Sequence, residues 1–65
     1  MWQFLVHHVV RPPLWTWVRL NRNGSAVEKS KATFSSYRKA FHNATQHGFN
    51  PRKDSYETVE GQGPK

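Results

Sequence analysis

The sequence predicts a mostly α chain that is not an independent globular domain, and three observations lead there. The chain has 65 residues, of which 35% are hydrophobic, with a mean hydropathy of −0.87. That is a thin supply for a self-sufficient core at a length where burial is already limited. Cysteine is absent, so neither a disulfide framework nor a thiolate zinc site can staple the chain. The clearest local pattern is helical and spans residues 26–47. Together these predict a short apolar aromatic N-terminal element broken at Pro12-Pro13, one amphipathic helix over about 26–47, and an extended C-terminal tail. The segments are an acid-free aromatic anchor (1–24), a docking helix (25–48) and a tail (49–65), completed by a larger partner.

The first segment, MWQFLVHHVVRPPLWTWVRL, contains Trp2, Trp15, Trp17 and Phe4 but no acidic residue. Two periodicities fit its start. Trp2, Leu5, Val6, Val9 and Val10 follow a helical face, while Trp2, Phe4, Val6, His8 and Val10 alternate as in a strand. The reading adopted is a short helix or irregular turn. Pro12 biases Arg11 toward extended backbone and ends that element, and Pro13 suits the first position of a second one carrying Leu14, Trp15, Trp17, Val18 and Leu20. Asn23-Gly24 is a turn signal. A hairpin is open in principle there, but the sequence after Gly24 reads as helix.

The helix expected from Ala26 to about His47 has signals at both ends. Ser25 and Glu28 match the S-x-x-E capping box, and Gly48 followed by Asn50-Pro51 marks the stop. Val27, Phe34, Tyr37, Phe41 and Ala44 recur in one stripe, the expected docking face, with Lys31, Arg38, Lys39 and His42 pointing elsewhere. Ser30 interrupts the seam, which argues against a coiled coil. Beyond Pro51, RKDSYETVEGQGPK loses apolar periodicity and reads as extended tail.

Charge is uneven along the chain, whose formal net charge is +6. Residues 1–27 carry Arg11, Arg19 and Arg22 without an acid. Residues 28–53 carry Lys29, Lys31, Arg38, Lys39, Arg52 and Lys53 against Glu28. From Asp54 onward Asp54, Glu57 and Glu60 outweigh Lys65. A basic body of this kind meets an anionic partner, either phosphate or acidic protein. The acid-free start also has the composition of a mitochondrial presequence, although it lacks serine and holds two prolines. Its longest stretch without Lys, Arg, Asp or Glu is residues 1–10, about half of the roughly 20 residues that a membrane-spanning helix needs, so no transmembrane span is expected.

Catalytic chemistry finds little to work with. His7-His8 are adjacent and point apart, and His42 with His47 lacks the i, i+4 spacing that would align two imidazoles, so no metal is expected. Asn23-Gly24-Ser25 and Asn43-Ala44-Thr45 match the glycosylation sequon by chance. No nucleophile motif such as G-x-S-x-G is present, and a chain this small has little room to desolvate a site. The expectation is a non-enzyme without cofactors.

The sequence therefore leads to a small structural accessory subunit at the membrane boundary of a mitochondrial inner-membrane assembly, such as a respiratory complex or ATP synthase. Trp2, Phe4, Trp15 and Trp17, with Arg11 and Arg19, would anchor at lipid headgroups or neighbouring subunits. Other protein subunits are the expected partners, with peripheral contact to anionic lipid. The alternative is a small RNA-associated protein, for example in a ribosome, with Lys29, Lys31, Arg38, Lys39, Arg52 and Lys53 on phosphates and Tyr37 or a Trp stacking on a base. The tryptophans fall in the least charged part of the chain, which tilts the sequence reading toward membrane or protein contact. Either way, the isolated chain is expected not to fold cooperatively.

Overall fold

A computed structural model describes residues 1–61 and shows a mostly β chain. Its elements are β1 (Trp2–His7), β2 (Leu14–Leu20), β3 (Ala26–Lys29), α1 (Tyr37–Gln46) and β4 (Tyr56–Glu60). The four strands form one mixed sheet in the order β3-β2-β1-β4, with β1 antiparallel to β2, β2 antiparallel to β3, and β4 parallel to β1. The mostly α expectation is overturned. So is the expectation of a chain without its own globular core, because the radius of gyration is 11.4 Å, close to the roughly 11 Å of a folded chain of this length.

In β1 the strand period wins over the helical one. Trp2, Phe4 and Val6 alternate with half-buried Gln3, Leu5 and His7, and aromatic and β-branched residues suit a pleated surface that is buried on one side. The segment 14–20 is likewise a strand, paired so that Phe4 faces Trp17 and Val6 faces Trp15. Asn23-Gly24 makes the hairpin turn after all, with Gly24 at φ +85°. The Asn21 side chain accepts from the backbone N–H groups of Asn23 and Ser25 and fixes that turn.

The helix is half as long as its sequence pattern suggests. Ser25 lies in the turn and Val27 and Glu28 lie in β3, so the S-x-x-E pair caps nothing. The cap is Ser36, extended at φ −150° and ψ 157°, whose hydroxyl accepts from the Lys39 N–H at 3.2 Å. The C-terminal end falls where expected, at Gln46 with His47 as cap and Gly48 at φ +102°. Of the expected docking stripe, Tyr37, Phe41 and Ala44 are helical, Phe34 pairs with Trp15 beside the sheet, and Val27 is 51% exposed. The helix stripe docks on the chain's own sheet.

The tail is in part a strand. Asp54 accepts from the Asn50 N–H, and the Asn50 carbonyl accepts from those of Lys53 and Asp54, closing the turn that leads into β4. Residues 62–65, also expected to be extended, lie outside the described residues.

Trp2, Phe4, Trp17, Ala40, Ala44 and Phe49 form the core, with Trp15, Phe34, Tyr37 and Phe41 packed around it. All three sequence segments contribute to it. Ala40 and Ala44, both fully buried, bring the helix backbone close to the sheet. The rings then fill the flanks: Phe4 stacks on Phe41 at 5.4 Å and meets Phe49 edge-on at 5.5 Å, while Tyr56 meets Phe49 edge-on at 5.2 Å. Such tilted and edge-on pairs add to the area term.

Candidate functional site

One helix cannot cover four strands. A helix with its side chains is about 10 Å wide, whereas four strands at about 4.8 Å spacing span roughly 14 Å between their outer axes. Helix α1 packs on β1 and β2. On the β4 side the remaining gap is filled by Phe41, Phe49 and Tyr56. On the β3 side it stays open as a groove of about 540 Å³ lined by Phe34, Arg38, Lys39, His42, Asn43 and Gln46.

The segment after β3 builds one wall of this groove. Ser30 accepts the Trp17 N–H on its hydroxyl at 3.2 Å and donates its own N–H to the Trp17 carbonyl at 2.9 Å. Phe34 and Trp15 then exchange two backbone hydrogen bonds of 2.8 Å. Between these anchor points Lys31, Ala32 and Thr33 bend outward and are exposed. Two bonded points hold Phe34 half-buried, one side of it on the core and the other on the groove.

The opposite wall is a helix face. Arg38, His42 and Gln46 follow one another at four-residue steps, as do Lys39 and Asn43, so the two ridges run side by side along the groove. Asn43 Oδ1 accepts from the Trp17 indole N–H at 2.8 Å. That bond satisfies a donor on a ring that is 1% exposed and leaves the Asn43 amide N–H groups for a ligand. Lys39 Nζ donates to the Ser35 hydroxyl at 3.1 Å. Among the described residues no carboxylate lines the groove. The nearby acid on this side of the sheet, Glu28, is engaged with His47 at 3.1 Å and with Arg19 at 3.7 Å. The groove thus presents cations, amide donors and one aromatic ring. Below the helix, burial pushes the Tyr37 phenol up from its ordinary pKa; Tyr56 adds to this, and a hydrogen bond with Thr58 works in the opposite direction.

The six basic residues of the sequence cluster separate in space. Arg38 and Lys39 lie in the groove, Lys31 on the bend that precedes Phe34, Arg52 and Lys53 in the turn after the helix, and Lys29 on the opposite sheet face, in line with Val18. The expected anchor set separates too. Trp2, Phe4 and Trp17 are buried in the core, and Trp15 is half-buried against it. Arg19 lies over the Trp2 ring at 5.8 Å, and Arg11 is exposed in the turn between β1 and β2.

The histidines are dispersed: His7 bonds to Thr16 at 2.8 Å, His8 lies 3.2 Å from Glu60, His47 pairs with Glu28, and His42 lines the groove. Among the described residues no three His, Asp or Glu side chains gather into a metal-binding group, and no helix is long and apolar enough to cross a membrane. Neither the ridge of Arg38, His42 and Gln46 nor the role of Phe34 follows from reading 26–47 as one docking helix. The signal that could have found them is Ser30, which breaks the seam where the helix has not yet begun. No family model, curated protein or solved structure matches the chain.

Proposed function

We propose that the chain is a non-catalytic binding module for single-stranded RNA, a small component of a ribonucleoprotein assembly. The observation that carries this is the groove itself, which joins Arg38, Lys39 and His42 to an aromatic wall at Phe34 without a carboxylate. Phosphates along a strand are met by Arg38 and Lys39, a base stacks against Phe34, and Asn43 and Gln46 offer donors and acceptors to base edges. Stacking on an aromatic side chain beside a cationic track is the usual way to hold an unpaired strand. A groove of about 540 Å³ is also of a size that accepts a compact organic group such as a nucleotide.

The membrane-boundary reading rested on tryptophans free to anchor. With Trp2 and Trp17 in the core, its support narrows to Val9, Val10 and Arg11, exposed at the turn between β1 and β2. The RNA reading has a built groove on its side.

The test is fluorescence anisotropy of a short labelled oligouridylate across a salt series, with vesicles of phosphatidylserine and cardiolipin assayed in parallel. The wild-type chain should bind the RNA with a steep salt dependence. Arg38→Ala and Lys39→Ala should each weaken binding and lower the logarithmic salt slope by about 0.7. Arg22→Ala, on the far side of the hairpin, should leave both unchanged. Equal losses for all three variants, or vesicle binding without RNA binding, would overturn this function.

A further inference from the structure

The sheet has a second face that no element covers among the described residues. Opposite the helix, Leu5, Leu14, Val18, Leu20 and Val59 stand on it, half-buried or, for Val18, buried by their neighbours alone. These are the positions where a sheet that meets water on one side ordinarily carries polar residues. An apolar face rimmed by charge marks an interaction surface.

Apart from Lys29, the polar side chains of the strands on this face are bonded in pairs. His7 Nε2 and the Thr16 hydroxyl are 2.8 Å apart, and Gln3 Nε2 donates to Glu57 at 2.6 Å. Covering the face therefore leaves few unpaired groups, which lowers the cost of burying it. A cavity of about 290 Å³ opens here along Leu5, His7, Thr16, Val18 and Lys29.

The register across the sheet decides what covers it. Lys29 pairs with Val18, Val18 with Gln3, and Gln3 with Glu57, so these four residues form one row perpendicular to the strands. The row begins with a cation on the β3 edge and ends with an anion on the β4 edge. We propose that this face is the interface of a homodimer, two copies packed back to back about a twofold axis parallel to the strands. That axis reverses the row, placing Lys29 of each copy over Glu57 of the other. It also keeps the strand axes of the two sheets aligned, one of the two common ways in which sheets pack face to face. A twofold perpendicular to the strands would set Lys29 over Lys29 and Glu57 over Glu57. Charge therefore selects the first arrangement, and the helix grooves of both copies remain on the outer surfaces.

Sedimentation equilibrium on the full chain tests this. The wild type should associate to twice its 7.6 kDa mass. Lys29→Glu and Glu57→Lys should each weaken the dimer about tenfold, since twofold symmetry turns two attractive pairs into two repulsive ones. The double reversal should recover most of the loss. Such recovery cannot arise within one copy, because three strand spacings, about 14 Å, separate the two edges. Leu5→Lys should give a monomer whose near-ultraviolet circular dichroism is unchanged, and Arg38→Ala should leave the dimer intact. A wild type that stays monomeric, or a dimer indifferent to both single reversals, would overturn the proposal.

Discussion

At the scale of single residues the fold turns on Trp17. Its ring is 1% exposed, it lies 5.3 Å from Trp2, and its indole N–H has one partner, Asn43 Oδ1 at 2.8 Å. Asn43→Ala leaves that donor without its partner and should cost about 1–3 kcal/mol in urea unfolding. In a Trp17→Phe background, where no indole N–H remains, the same change should cost much less, because the two effects are coupled. Equal costs in both backgrounds would mean that the bond contributes nothing. Tyr37 supplies a second residue-level prediction. Burial raises its pKa above the ordinary 10.0, so the fold favours the neutral phenol. A group raised on folding contributes stability that is complete below its unfolded pKa and is lost as pH rises through the folded one. Stability should therefore hold up to about pH 10 and then decline, and Tyr37→Phe should flatten that decline. An identical alkaline profile in both proteins would contradict the role given to burial.

At the scale of elements, the two candidate helix starts make opposite predictions. Ser36→Ala removes the hydroxyl that accepts the Lys39 N–H and should cost about 1 kcal/mol. Ser25→Ala sits in an exposed turn and should change stability by less than about 0.5 kcal/mol. The reverse order would restore the longer helix that the sequence suggests. The C-terminal half of the helix was legible because Gly48 and Asn50-Pro51 are breakers whose meaning is local. Its false N-terminal half was not, since Lys29 to Ser35 contains no proline or glycine and Val27 and Phe34 happen to extend the Tyr37-Phe41-Ala44 stripe. What overrides the pattern is tertiary: Phe34 and Ser30 bond to the backbone of β2, a partner far away in sequence. The same holds for β1, where alternation and helical spacing coexist and only pairing with Trp15 and Trp17 decides between them. For β4, Tyr56, Thr58 and Val59 are strand formers, but Tyr56 and Val59 do not alternate, and two glutamates and the adjacent glycines read as tail. The groove was legible only as charge: Arg38 and Lys39 were in the basic cluster, while Phe34 had been assigned to a buried face.

At the scale of the whole molecule, the expectation of a borrowed core failed because it counted hydrophobic residues instead of weighing them. Nine of the 65 residues are Trp, Tyr or Phe, and each such ring buries roughly 150–250 Å². Six of the nine lie in β1, β2 and the helix, where they pack within the sheet and across the two layers, at Trp2, Phe4, Trp15, Trp17, Tyr37 and Phe41. A few large, mutually contacting side chains can close a core that many small ones could not. The groove depends on that core, because Phe34, Asn43 and the helix ridge are all held in place by Trp15 and Trp17. Whether this core closes by itself is tested by thermal unfolding of the isolated chain in dilute buffer, followed by tryptophan fluorescence and near-ultraviolet circular dichroism. A chain that closes its own aromatic core gives blue-shifted emission, structured aromatic dichroism and one sigmoidal transition shared by both probes. Water-exposed emission from the start, with a featureless drift on heating, would contradict that closure and return the tryptophans to the surface.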